Sequence, residues 1–232
     1  MGVASDQPAH PLDRPVWNTL TGRWAPLALR AGCALRLDPQ YGPFVATPDL
    51  GPASLRDLTA FDVGEAGMDL VESEAVEAPP GLAIAVQARL VQMTAEAVAP
   101  GGRDLQFVPL GEADAPEMLA LAQLTRPGPF AARTQSLGGF IGVKSDGRLV
   151  AMAGERMKPH GFCEVSGVCT HPGHRGRGYA GALMRIVASR ILERGERPFL
   201  HAYETNEGAI ALYRTLGFEL RSVVVLTVLK RA

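Results

Sequence analysis

Residues 162–194 carry the arrangement that most limits how this 232-residue chain can fold. A β-rich run, FCEVSGVCT (162–170), leads into the glycine- and arginine-rich loop HPGHRGRG (171–178), and a helix follows from about Gly178 to Arg194. Leu183, Ile186, Val187 and Ile191 keep helical spacing, and Gly195 stands where a helix-ending glycine belongs. A second strand, PFLHAYE (198–204), comes next. Strand, helix and strand in this order imply a parallel pair with a crossover helix. Just upstream, GGFIGVKSDGRLVAMAGERM (138–157) reads as an antiparallel hairpin turning at Ser145-Asp146-Gly147. The expected class is therefore α/β with a mixed sheet, parallel at its centre and covered by helices on both faces.

The remaining elements fit around that centre. LQFVPL (105–110) reads as a strand. A helix begins at Asp114 or Ala115 with Pro116 in its first turn, and Met118, Leu119, Leu121, Ala122 and Leu124 give it a broad apolar face. Thr205 or Asn206 caps another helix running to Leu216 and closed by Gly217. FELRSVVVLTVLK (218–230) is one long final strand. The first hundred residues are rich in Pro, Gly and Ala. ASLRDLTAF (53–61) has helical character, GLAIAVQARLVQMTA (81–95) is partly β-like, and neither carries a pattern of reactive residues. Breaks fall at EAPPG (77–81) and APGGR (99–103). The second divides an N-terminal region, 1–100, from a domain at 103–232. A degenerate copy of the second half, a lid or a dimerisation element would all fit the first.

Bulk composition excludes several classes of function. A net charge of −1 gives no general attraction to nucleic acid or to a membrane surface. MGVASDQPAH has neither the basic nor the apolar part of a secretory signal, and Asp6 spoils the Met1-Gly2 acylation pattern. No apolar run approaches the ~18 residues of a membrane span. Cys33, Cys163 and Cys169 are odd in number and lack Cys-x-x-Cys spacing, so they read as small buried side chains in a reducing cytoplasm. His171-x-x-His174 lies in a loop without partner carboxylates, so no metal site is expected.

The loop itself points to an anion. Thr170 through Leu192 contain no Asp or Glu, but they hold Arg175, Arg177, Arg185 and Arg190. Gly176 and Gly178 let backbone approach a ligand closely, and the helix start presents unpartnered amides at the positive end of its dipole. Gly176-x-Gly178-x-x-Gly181 matches the dinucleotide fingerprint, with Glu204 near the place of a ribose-binding acid. Three features oppose that reading. HPGHR separates the strand from the first glycine, only about fifty residues remain for the rest of a doubly wound sheet, and the antiparallel hairpin is foreign to it.

VCTHPGHRGRGYAGALM (168–184), with Arg175-x-x-Gly178-x-Ala180, resembles motif A of the Gcn5-related N-acetyltransferases (GNAT), whose loop holds the pyrophosphate of coenzyme A. FLHAYETNEGAIALYRTLGFE (199–219) resembles their motif B, with Asn206 opening the helix and Ala209-x-x-Leu212-Tyr213-x-x-x-Gly217-Phe218 ending it. The resemblance spans about 130 residues, and its style is closest to the subgroup resembling glycine N-acyltransferases. It implies a GNAT-like acyl-CoA N-acyltransferase fold whose two central parallel strands splay apart, preceded by an N-terminal α/β region. Acetyl-CoA is the implied cosubstrate, and a primary amine of a small molecule or peptide attacks its thioester directly.

The same resemblance implies the residue roles. Backbone of Val168, Cys169 and Thr170 would pair with the pantetheine arm. Amides of Gly176, Arg177, Gly178, Tyr179, Ala180 and Gly181 would hold the pyrophosphate, with charge from Arg175 and Arg177. Asn206 and Tyr213 would touch the cofactor, and Tyr213 would give a proton to the departing thiolate. Glu164 and His201 are equal candidates for the base, with Glu155 a third. His201 stands five residues before Asn206, where ribosomal-protein N-terminal acetyltransferases carry glutamate. A binding-only acyl-CoA sensor and an NAD(P) enzyme are the alternative functions. A homodimer is compatible with the sequence, and the acceptor's identity is not written in it.

Overall fold

The computed structural model describes residues 10–101 and 105–232. Met1, Gly2 and Asp6, and Gly102 and Arg103 of the expected break, lie outside the described residues.

The chain opens with a short helix α1 (Pro15–Leu20) and a small antiparallel sheet of β1 (Ala28–Ala31), β2 (Ala34–Leu37) and β3 (Val45–Ala46). The helix expected over 53–61 divides into α2 (Pro52–Arg56) and a tighter 3₁₀ turn at Asp57–Ala60. The Asp57 carboxylate there accepts the Cys33 amide at 2.8 Å, tying this turn to the β1–β2 connection. Strands β4 (Met68–Glu72) and β5 (Leu82–Thr94) follow. Then come β6 (Val108–Leu110), α3 (Ala115–Thr125), β7 (Phe140–Ser145), β8 (Arg148–Glu155) and β9 (Phe162–Thr170). Helix α4 (Tyr179–Glu193), β10 (Arg197–Tyr203), α5 (Glu207–Thr215) and β11 (Glu219–Arg231) complete the chain. The strand expected over 105–110 keeps only its last three residues; it is an edge strand that pairs on one side, with β7, which is where Pro109 is tolerated.

The main sheet has the order β4-β11-β5-β10-β9-β8-β7-β6. The β7–β8 turn forms where expected, with Asp146 and Gly147 at φ 50° and 77°, the left-handed pair that a tight hairpin needs. Among the described residues β9 and β10 are the parallel neighbours of this sheet, as the strand–helix–strand order predicts. Their ladder covers Arg197–Phe162, Pro198–Cys163 and Phe199–Glu164 and stops there, although both strands run on. Gly167 explains the divergence. Three residues of β9 span what two of β8 span, between the pairs Met152–Cys169 and Gly154–Ser166. Gly167 sits in that bulge at φ 62°, and a bulge bends its strand and increases its twist. The expected splay is thus built from one glycine.

The two faces of the sheet bury different parts of the chain. Leu183, Met184, Val187, Ala188 and Ile191 of α4 pack on one face against Val91, Met93, Val165 and Leu200. The other face holds Leu90, Phe199 and Val224 and is covered by Leu12, Val16, Leu20 and Trp24 from the N-terminal region. That region also enters the sheet. β5 lies between β11 and β10, and β4 forms the edge beside β11.

Candidate active site

The 171–178 loop and the start of α4 form one wall of a groove of about 780 Å³. Gly176 and Gly178 both adopt left-handed φ, 74° and 77°, so the loop turns tightly and brings its backbone to the groove. Val168, Cys169, Thr170, Arg175, Gly176, Arg177, Gly178, Tyr179, Ala180, Gly181 and Asn206 all line it. Asn206 caps α5 as well, its side chain accepting the Ala209 amide at 3.2 Å.

Four polar atoms in this wall are buried and have no hydrogen-bond partner among the described residues: Thr170 Oγ1, His174 Nδ1, and Nε and Nη1 of Arg185. Buried polar groups are normally paired, so this concentration marks a place where a polar ligand completes the structure. Two of the unsatisfied atoms are guanidinium nitrogens, which suits phosphate oxygens. The groove therefore fits the pyrophosphate of coenzyme A. The sequence counts Arg185 among the arginines of the acid-free stretch but gives it no individual role, and it gives no sign of His174 as a ligand of the anion.

A second cavity, about 740 Å³, opens on the other side of the splay. The two share Pro127, Val168, Ala180, Asn206, Ala209 and Leu212, so they meet between the ends of β9 and β10. Tyr213 lines the second cavity, with His201, Tyr203, Arg156 and Phe130. Burial raises the Tyr213 hydroxyl above its ordinary range, so it carries its proton at neutral pH.

Glu164 and His201 are brought together, but in a closed network. Arg156 donates to both oxygens of Glu164, Nε to Oε2 at 2.8 Å and Nη2 to Oε1 at 3.0 Å. His201 Nδ1 lies 2.9 Å from Oε1. Burial alone would raise the Glu164 carboxyl, but Arg156 and the His201 hydrogen bond bring it down to about 2. On the far side of the imidazole, Gln92 Nε2 is 3.0 Å from His201 Nε2 and also donates to the Leu12 carbonyl at 2.9 Å. Arg221, a pure donor, reaches Gln92 Oε1 at 2.8 Å. The Gln92 amide is therefore oriented with its nitrogen toward His201. It follows that His201 Nε2 accepts and Nδ1–H donates to Glu164. Arg221 is held in turn by Asp13. Glu155 is bound elsewhere, by Lys158 at 2.9 Å and Arg194 at 2.8 Å. Burial pushes its carboxyl up, and these two cations outweigh it and hold the carboxyl below the ordinary value.

His171 and His174 pack ring against ring in the loop, 5.7 Å between centroids, and the His171 ring accepts the Gly173 amide. Burial raises both the Cys163 and Cys169 thiols, the latter to about 11, which leaves them protonated and inert as nucleophiles. No helix among the described residues is long and apolar enough to cross a membrane.

Comparison with known proteins agrees with this fold. The model of a family described as FR47-like protein matches residues 140–226. The N-alpha-acetyltransferase RimI of Mycobacterium tuberculosis is 33% identical over 101 residues, 40% of this chain and 62% of that protein. The chain thus spans less than two thirds of this curated relative. A crystal structure from Novosphingobium aromaticivorans, assigned to the GNAT family, is 48% identical, with a TM-score of 0.89 over 96% of this chain and 99% of that one. A GCN5-related N-acetyltransferase from Kribbella flavida is 21% identical and shares the fold across 92% of this chain and 93% of its own, with a TM-score of 0.62.

Proposed function

This chain belongs to the GNAT family of acetyltransferases, and from that premise we propose that it transfers an acetyl group from acetyl-CoA to a primary amine. The observation that carries the reading is the meeting of two cavities at the β9–β10 splay. One has phosphate-seeking donors without partners, and the other is open to Tyr213. In this reading Gly176 to Gly181, Arg185 and His174 hold the pyrophosphate, and Asn206 fixes the loop that faces it. The pantetheine arm runs beside Val168, Cys169 and Thr170, where β9 has left β10. The thioester then lies at the shared wall, reachable from the second cavity by an amine.

Tyr213 supplies the proton that the departing thiolate takes up. Its raised proton affinity keeps the donor form at neutral pH. Glu164 is held ionised and doubly bound to Arg156, so it accepts a proton poorly near pH 7. The His201 Nε2 lone pair is engaged by Gln92. We assign this pair to positioning β10 beside the splay. The acceptor is a small molecule or a peptide amine, and the site of action is the cytoplasm.

Calorimetric titration tests the cofactor, and thiol release with a panel of primary amines tests the transfer. Acetyl-CoA should bind and NAD should not. Tyr213→Phe should lower kcat roughly 10²-fold or more while the KM for acetyl-CoA moves little. Full turnover in Tyr213→Phe would remove the general-acid assignment. Tight acetyl-CoA binding without thiol release for any amine would favour a sensor.

A further inference from the structure

The second cavity contains a carboxylate that the roles above leave unused. Asp69 lies at the middle of β4, in the N-terminal region, and is 5% exposed. Residues opposite each other in a ladder share a face of the sheet. The pairs His201–Gln92, Tyr203–Leu90, Leu90–Val224, Leu226–Val71 and Val228–Asp69 therefore put Asp69 on the same face as His201 and Tyr203. The cavity runs over that face, from Val168, Ala180 and Tyr213 at the splay to Leu226, Val228 and Asp69. Of the residues that line it, Asp69 is the one carboxylate among those described.

The other ionisable groups on its walls come from every element around it. Arg36 comes from β2, Arg126 from the end of α3, Arg156 from the segment after β8, His201 and Tyr203 from β10, and Tyr213 from α5. Arg156 is committed to Glu164, and Arg36 donates to the Asp62 carbonyl. Among the described residues no hydrogen bond or ion pair reaches the Asp69 carboxylate. A buried anion without a direct partner is a costly feature to keep unless a ligand cation completes it. Burial raises this carboxyl to about 6, and the charge of Arg156 works against the rise, so it is ionised at neutral pH yet basic enough to take a proton.

We propose that this cavity is the acceptor site, that it takes a small primary amine as its ammonium form, and that Asp69 is the carboxylate whose charge draws the ammonium in and which takes up its proton through water in the cavity. The proposal rests on the acetyl-transfer reading above. In the proton ledger, one N–H proton passes from the ammonium through water in the cavity to Asp69. The freed lone pair forms a C–N bond with the thioester carbonyl carbon and the C–S bond breaks. The thiolate takes the Tyr213 proton, and Tyr213 recovers the second N–H proton as the amide forms. The proton on Asp69 leaves to solvent. At 740 Å³ the cavity suits a small molecule, since ligand sites run from about 300 to 1,000 Å³.

Two measurements decide it. For Asp69→Asn, kcat/KM for n-butylamine and for putrescine should fall roughly 10²-fold or more at pH 7, with partial recovery as pH rises and free amine becomes available. The acidic limb of the wild-type kcat/KM profile, near pH 6, should disappear, and Asp69→Glu should restore part of the rate. Calorimetric binding of acetyl-CoA should stay unchanged in both variants. An unaltered profile and rate in Asp69→Asn would overturn the proposal. The second measurement is independent of turnover: NMR-detected binding of n-butylammonium to the CoA-loaded protein, absent in Asp69→Asn. If the wild type releases no thiol yet binds the ammonium through Asp69, the acetyl-transfer reading fails and the ammonium site stands. If the wild type turns over amines with Asp69 irrelevant to both readouts, the transfer reading stands and this one fails.

Discussion

Glu164 and Asp69 share one face of the sheet, and their surroundings push their proton affinities in opposite directions. Glu164, at about 2, is well below an ordinary carboxyl; it stabilises the fold above pH ~4.5, and the contribution fades as pH falls from there toward 2. Asp69, at about 6, sits above its ordinary 3.8, so the folded state binds more protons than the unfolded chain between those values. Its burial therefore destabilises the fold increasingly as pH rises from 4 to 6, and fully above 6. Two outcomes follow. Asp69→Asn should be more stable than wild type at pH 7.5, by up to about 3 kcal/mol for a shift of roughly two units, and equal to it near pH 4. Glu164→Ala should lose about 3–5 kcal/mol at neutral pH, because Arg156 is left buried without its anion. Urea titrations of both variants at pH 4 and pH 7.5 check the pair. A stabilising change that removes activity would mark Asp69 as kept for chemistry rather than for folding.

At the scale of elements, β9 depends on a residue that propensity alone would discourage. Gly167 holds φ 62°, and a Cβ there would come within 2.7 Å of the Phe140 ring. Gly167→Ala should therefore cost about 1–2 kcal/mol from backbone conformation alone, and should weaken acetyl-CoA binding if the bulge straightens. A melting curve and a calorimetric titration on the same sample separate the two effects. Arg185→Met should raise the acetyl-CoA Kd about tenfold or more, by removing a charged donor from the groove wall. Elements with local codes were readable in advance. The α4 stripe, the Asp146-Gly147 turn, Asn206 as a cap and the glycine loop each follow from a few neighbouring residues. Gly167 had its signal too, a glycine inside a strand pattern, but which bulge it makes depends on the partner β8. The insertion of β5 between β10 and β11 had none, because long-range antiparallel pairing leaves no mark on either strand. Asp69 was hidden for the same reason: only the register of β4 beside β11 puts it on the cavity face.

For the molecule as a whole, the question is whether residues 10–100 unfold with the rest or apart from it. The break near residue 100 suggested a separate region. Against a loose attachment stand several links. β5 is paired on both sides, with β10 and β11, and β4 pairs with β11 over Met68–Glu72. Leu12, Val16, Leu20 and Trp24 share a core with Phe199 and Val224. The chain Asp13–Arg221–Gln92–His201–Glu164–Arg156 joins the first described turn to β9 through hydrogen bonds and ion pairs. Unfolding one part would strip β10 of a neighbour and expose the face that holds Glu164. Such shared strands and cores make a single cooperative transition the expected behaviour. The sequence supplies its own probe. Its two tryptophans, Trp17 and Trp24, both lie in the N-terminal region. Tryptophan fluorescence then reports that region, while far-UV circular dichroism reports the whole sheet. In guanidinium the two signals should give one midpoint and one slope. A fluorescence transition at clearly lower denaturant would instead establish residues 10–100 as an independently melting unit. The acceptor cavity would then be a surface that forms only when the two parts dock.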